Sequence, residues 1–138
     1  MKNINDINSI QIILQADDRL LLHIVLSRGG TVQRLGTGTL DNNERDLLSG
    51  VIGIETFDEV LQLLPADLLL TDASYSDPNL RGTRIGLSIA LIADEWECSF
   101  QMIYGSESEG PPNDVVAFVS AARNLTEKWY QEFKERTS

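Results

Sequence analysis

The chain carries one histidine and one cysteine, His23 and Cys98, and these are its first candidates for chemistry. A single histidine cannot build the His clusters that hold zinc, but one imidazole is enough for a general base. His23 sits between Leu22 and Ile24 in an apolar run, which points to a packed, hydrogen-bonded ring. Cys98 becomes a nucleophile only where a cation lowers its thiol pKa. Its alternation with Trp96 and Phe100 points instead to burial as a small apolar residue. A Cys–His dyad requires the two to meet across a sheet, and spacing along the chain does not establish that.

Other constellations are incomplete. Asp72-Ala73-Ser74-Tyr75-Ser76-Asp77 offers oxygens at alternate positions, as calcium loops do. Pro78 follows it, no glycine marks the sharp turn, and Thr83 stands where a bidentate glutamate is needed. It reads as a polar loop, and no metal site is expected. Gly36-Thr37-Gly38-Thr39 has the composition of a phosphate cradle, but Asp41 occupies the third glycine position of a dinucleotide fingerprint and no Gly-Lys-Ser/Thr follows; a strand running into a flexible loop is expected. Arg81 and Arg84 form the densest basic spot, with Arg28 and Arg34 upstream. Brought together, they would bind an anion bidentately; apart, they are edge charges that discourage strand pairing. Glu107, Glu109 and Asp114 lie among Gly and Pro and do not read as a catalytic carboxylate pair. No Gly-x-Ser-x-Gly elbow is present, and no cofactor is expected.

The elements that must position these residues follow from periodicity. Ser9–Gln15 alternates, Leu20–Ser27 is apolar on both faces, and Thr31–Leu35 follows, with turns at Ala16–Arg19 and Arg28–Gly30. This is a three-stranded antiparallel meander. Asn43–Leu48 is expected as a short helix ending at Gly50. Thr56-Phe57-Asp58-Glu59 fits a capping box, followed by Val60, Leu61 and Leu64 at helical spacing, until Pro65 stops the helix. Ile85–Ala93 and Trp96–Tyr104 form a hairpin across Asp94-Glu95, with Cys98 on its apolar face. After Pro111-Pro112, Asn113 is the expected N-cap of a helix to about Lys134. Its stripe of Val115, Phe118, Val119, Ala122, Leu125, Trp129 and Phe133 covers a sheet.

Lys and Arg number 11 against 21 Asp and Glu, a formal charge of −10, in a chain that is 42% hydrophobic and 23% charged. That field repels phosphate backbones and anionic bilayers, so nucleic acid and membrane are disfavoured, while a basic protein partner is compatible. Acidity also simply keeps a protein in solution. One cysteine excludes an intrachain disulfide and suits a reducing compartment. The N-terminus lacks an apolar signal-like run, and the cytoplasm is expected.

The sequence therefore predicts one α+β domain spanning residues 1–138. It has an antiparallel sheet of about five or six strands, helices mainly on one face, and a long C-terminal helix. The leading functional expectation is a non-catalytic interaction protein, of inhibitor, immunity or adaptor type. It docks a basic partner through Asp17, Asp18, Glu107 and Glu109. The alternatives are a small-molecule pocket between sheet and helix, with His23, Arg34 and Tyr104 converging in it, and a homodimer through a sheet edge or the Trp129/Phe133 end of the last helix.

Overall fold

A computed structural model describes residues 3–65, 68, 73–76, 80–107 and 110–137. β1 (Ile7–Ala16), β2 (Arg19–Ser27) and β3 (Thr31–Leu35) form the antiparallel meander. Its two turns use the conformations their residues allow. Asp17 takes a φ of 54°, and Gly30 one of 95°, where a side chain would be strained. β4 (Leu48–Val51) pairs antiparallel with β3 and leads into α1 (Ile54–Gln62). β5 (Ala73–Ser76), β6 (Arg84–Ala93), β7 (Glu97–Gly105) and α2 (Asn113–Thr137) follow, and a single 3-10 turn at Ile4–Asp6 precedes β1.

The strands form one sheet in the order β4-β3-β2-β1-β6-β7-β5. Six are antiparallel, and the short β5 joins β7 in parallel at the edge. The α+β architecture expected from the sequence is the observed one, with this short strand added inside a stretch read as loop.

Both helices cover the same face. Register aligns Arg34, Ile24, Ile12, Ile89 and Phe100 in one cross-strand row, and Val32, Leu26, Ile10, Leu91 and Cys98 in the next. Phe57, Val60 and Leu61 of α1 and Val115, Phe118 and Ala122 of α2 pack onto these rows. Strict alternation sends every second residue to one face, so β1 and β6 bury Ile10, Ile12, Leu87, Ile89 and Leu91 as predicted.

Three local expectations are corrected. Residues 43–47 are not helical, and β4 stands at 48–51. Asn42 decides this: its side-chain oxygen accepts from the Thr37 and Glu44 amides and its NH2 group donates to the Leu20 and Glu44 carbonyls, holding the segment as a loop. α1 starts before the supposed capping box, with Gly53 as its cap, so Thr56 lies inside the helix. In α2 the first intrahelical bond runs from the Val116 amide to the Pro112 carbonyl, which moves the cap from Asn113 to Pro112.

The buried line of α2 also differs from the expected stripe. It runs Val115, Phe118, Ala122, Thr126, Tyr130, while Leu125 is exposed and Trp129 and Phe133 are half-buried. Trp129 packs over Gly50 of β4, and its ring stands 5.3 Å from that of Phe133.

Candidate functional site

Arg34 alternates with Val32 along β3 and so faces α2, in the same row as Ile24 and Ile12. It has no solvent exposure. A buried guanidinium is stable only when its donors are satisfied. Nε donates to the Gly36 carbonyl, Nη1 to the Arg123 carbonyl and the Thr126 hydroxyl, and Nη2 to Glu127 at 2.7 Å. The guanidinium also lies 4.5 Å over the Tyr130 ring. Tyr130 in turn accepts from the Gly36 amide and donates to Glu44, which is paired with Lys134. The group ties β3, the loop after it and α2 together.

The titratable members respond accordingly. Burial raises the Glu44 pKa, but hydrogen bonds from Lys134 and Tyr130 and the charges of Lys134 and Arg34 outweigh it and hold the carboxyl below its usual value. For Glu127 burial is likewise outweighed, by hydrogen bonds from Gln131 and Arg34 and by the charges of Arg34 and Arg123. Tyr130 is pushed up to about 12, by burial first and then by Glu44.

The opposite face of the sheet carries no helix among the described residues. Gln33, Val25, Gln11, Ala90 and Ser99 form one row there, and Leu35, His23, Ile13, Ser88 and Gln101 the next. None is acidic or basic apart from His23. The Gln11 side-chain amide meets His23 Nε2 at 3.2 Å, and burial lowers the His23 pKa by disfavouring the charged ring. At the end of this face a depression of about 650 Å³ lies over Gly86, between Gln15 and Ile103, with Asp17, Asp18 and Arg84 at its rim.

The three residues expected in a ligand pocket do not meet. His23 is on the open face, while Arg34 and Tyr104 are on the covered one. β3 and β7 are four strand spacings apart, about 19 Å. Tyr104 is half-buried against the core, and burial raises its pKa. The same separation of faces keeps Cys98 from His23. The Cys98 thiol is buried and donates to the Leu68 carbonyl.

The residues expected to meet a partner fare differently. Asp17, Asp18 and Glu107 are exposed at one end of the sheet. The Asp17 amide bonds the Arg84 carbonyl, and the Glu107 amide the Arg81 carbonyl, which places the two turns on either side of the start of β6. Glu109, Asp72 and Asp77 lie outside the described residues.

The arginines do not assemble into an anion site. Arg28 caps the Ile7 and Asn5 carbonyls at the other end of the sheet and stacks on Phe57. β3 and β6 are interior strands, so Arg34 and Arg84 are not edge charges. The Gly36–Thr39 segment is not a phosphate cradle either. The amides of Gly36, Thr37, Gly38 and Thr39 go to Tyr130, Asn42, Leu21 and Thr37 of the chain itself. The sequence reading missed Thr126 and Tyr130 as partners of Arg34. Their placement four and eight residues after Ala122 was the available signal.

Among the described residues no three His, Cys, Asp or Glu side chains cluster as metal ligands, and no helix is long and apolar enough to cross a membrane. No protein-family model matches the sequence, and no curated protein is detectably similar to it.

Proposed function

We propose that the chain is a small acidic cytosolic interaction module, of inhibitor, immunity or adaptor type, that docks a basic protein partner and performs no catalysis itself. The observation that carries this reading is how the fold uses its charges. Arg19, Arg28, Arg34 and Arg123 donate to backbone carbonyls, and Arg34, Lys134 and Arg136 pair with carboxylates. Asp17, Asp18 and Glu107 have no such side-chain partner among the described residues. Folding thus buries Arg34 and ties Arg19, Arg28 and Arg123 to backbone carbonyls. The carboxylates of Asp17, Asp18 and Glu107 stay exposed and without an ion-pair partner among the described residues, at an end of the sheet where Arg81 and Arg84 are exposed as well. A basic partner is drawn to that end, faster at low salt.

The small-ligand reading lacks a comparable observation, because His23, Arg34 and Tyr104 lie apart. The homodimer reading loses part of its basis where Trp129 packs on Gly50 within the chain.

The test is affinity capture from host lysate at low and moderate salt. It uses the native chain and a variant carrying Asp17→Asn, Asp18→Lys and Glu107→Lys. A stoichiometric basic protein, lost at moderate salt and lost with the variant, is the expected result. Equal retention by the variant, or no retained protein, overturns the reading.

A further inference from the structure

Gly86 is the feature of the open sheet face that the fold itself does not require. It sits in β6, an interior strand, between Gln15 of β1 and Ile103 of β7. Its φ lies outside the left-handed region, and a Cβ built on it meets nothing within 4 Å among the described residues. Gly36 and Gly105 differ in this respect. Backbone atoms stand at 2.2 and 2.0 Å from a Cβ built there, so packing demands those two glycines. A glycine inside a strand forgoes side-chain packing, and it marks a place where another backbone or ligand comes close. Here the bare backbone is part of the lining of the depression of about 650 Å³, a size that accepts a long side chain and its flanking backbone.

The lining is mixed. Ile103 and the Gly86 backbone offer apolar contact, Gln15, Ser88 and Gln101 supply neutral polar groups, and the carboxylates of Asp17 and Asp18 stand at the end of the strands. Neither carboxylate has an internal partner among the described residues. Lysine and arginine suit such a lining, with an aliphatic stem ending in a cation. Arg84, on the same rim, is a donor fork without a side-chain partner among the described residues and suits backbone carbonyls or a carboxylate.

We propose that the depression over Gly86 seats a lysine or arginine side chain of an extended segment of the partner. The stem lies on Gly86 and Ile103, the cation reaches Asp17 and Asp18, and Arg84 donates to the segment's carbonyls. This inference rests on the basic-partner reading above and adds where, and with what residue, the partner docks.

The test uses the full chain, isotope-labelled, titrated with a capped heptapeptide of alternating threonine and valine bearing a central arginine. The same peptide with citrulline or glutamate at the centre serves as the comparison. The expected result is amide shift changes confined to Gln15–Asp18, Arg84–Ser88 and Gln101–Ile103. Binding weakens at least tenfold with citrulline or glutamate, and likewise with Gly86→Leu. The milder Gly86→Ala and the Asp17→Asn/Asp18→Asn pair weaken it in steps. Asparagine tolerates the positive φ of Asp17, so the turn is kept. Retained binding in Gly86→Leu together with loss in the Asn pair overturns the seat over Gly86 and leaves the basic-partner reading standing. Equal binding of the citrulline peptide overturns the role of the cation. Shift changes elsewhere, or none with the arginine peptide, overturn the proposal.

Discussion

The guanidinium of Arg34 lies 4.5 Å over the ring of Tyr130, and neither side chain is more than 1% exposed. This stacked pair is where β3 meets α2, in a position that an aliphatic residue usually fills. Replacing Arg34 by Ala strips partners from the Gly36 and Arg123 carbonyls. The expected loss is about 3 kcal/mol, the lower end for breaking a buried ion pair, because Glu127 keeps access to water. Arg34→Lys retains the charge but not the fork, and recovers only part of it. Urea unfolding measures both, as a fall in midpoint with an unchanged slope.

Stability is expected to fall at both ends of the pH range, with different residues setting each end. Glu44 and Glu127 have folded pKa values below their ordinary ones, so their contribution is present above the unfolded value, near pH 4.3 to within about a unit. It is lost as pH falls through the folded value. Tyr130 has its folded pKa raised to about 12, so its contribution is present below about pH 10 and lost as pH rises toward 12. Glu44→Gln is expected to flatten the acid limb of melting temperature against pH, and Tyr130→Phe the alkaline limb. Unchanged limbs in these variants contradict the assignment.

Two glycines hold the covered side together, and a third does not. Gly36 has a φ of 93°, and a Cβ there stands 2.2 Å from the Leu21 carbonyl oxygen. Gly36→Ala is expected to cost about 3 kcal/mol, combining the left-handed penalty with backbone displacement. At Gly50 a Cβ stands 2.9 Å from the Trp129 ring. Gly50→Ala is expected to cost about 1–2 kcal/mol and to red-shift Trp129 emission in a Trp96→Phe background. Gly86→Ala is expected to be neutral or to stabilise by about 0.5 kcal/mol. Melting curves of the three variants rank them.

Cys98 is 2% exposed and its thiol is bonded to the Leu68 carbonyl. A thiol reagent therefore labels the native chain only through unfolding, and the labelling rate follows the denaturant dependence of global opening. Rapid labelling without denaturant contradicts this burial.

The meander, the β6–β7 hairpin and both helices were legible because their signals are local. Alternation in β1 and β6, the step of three and four in α2, and Pro65 and Pro112 act within a few residues. Segment 43–47 was misread because Asn42 stops a helix there by bonding Thr37, Leu20 and Glu44, contacts that no local pattern carries. The exposed turns at Asp17, Asp18 and Glu107 were also legible, since charged turn residues stay in water. That they flank the same end of β6 follows only from β1 and β7 both pairing with it.

By itself the sequence determined the alternation of each strand, the amphipathic helices, the negative charge and the absence of a complete catalytic motif. Tertiary structure alone decided which face the helices cover, and with it the fate of each polar residue. One residue of parity places Arg34 under α2 and His23 on the open face, although their strands adjoin. Burial and hydrogen-bond satisfaction depend on neighbours far along the chain. The same decision left Gly86 on the face that carries no helix among the described residues, beside the exposed turn of Asp17 and Asp18.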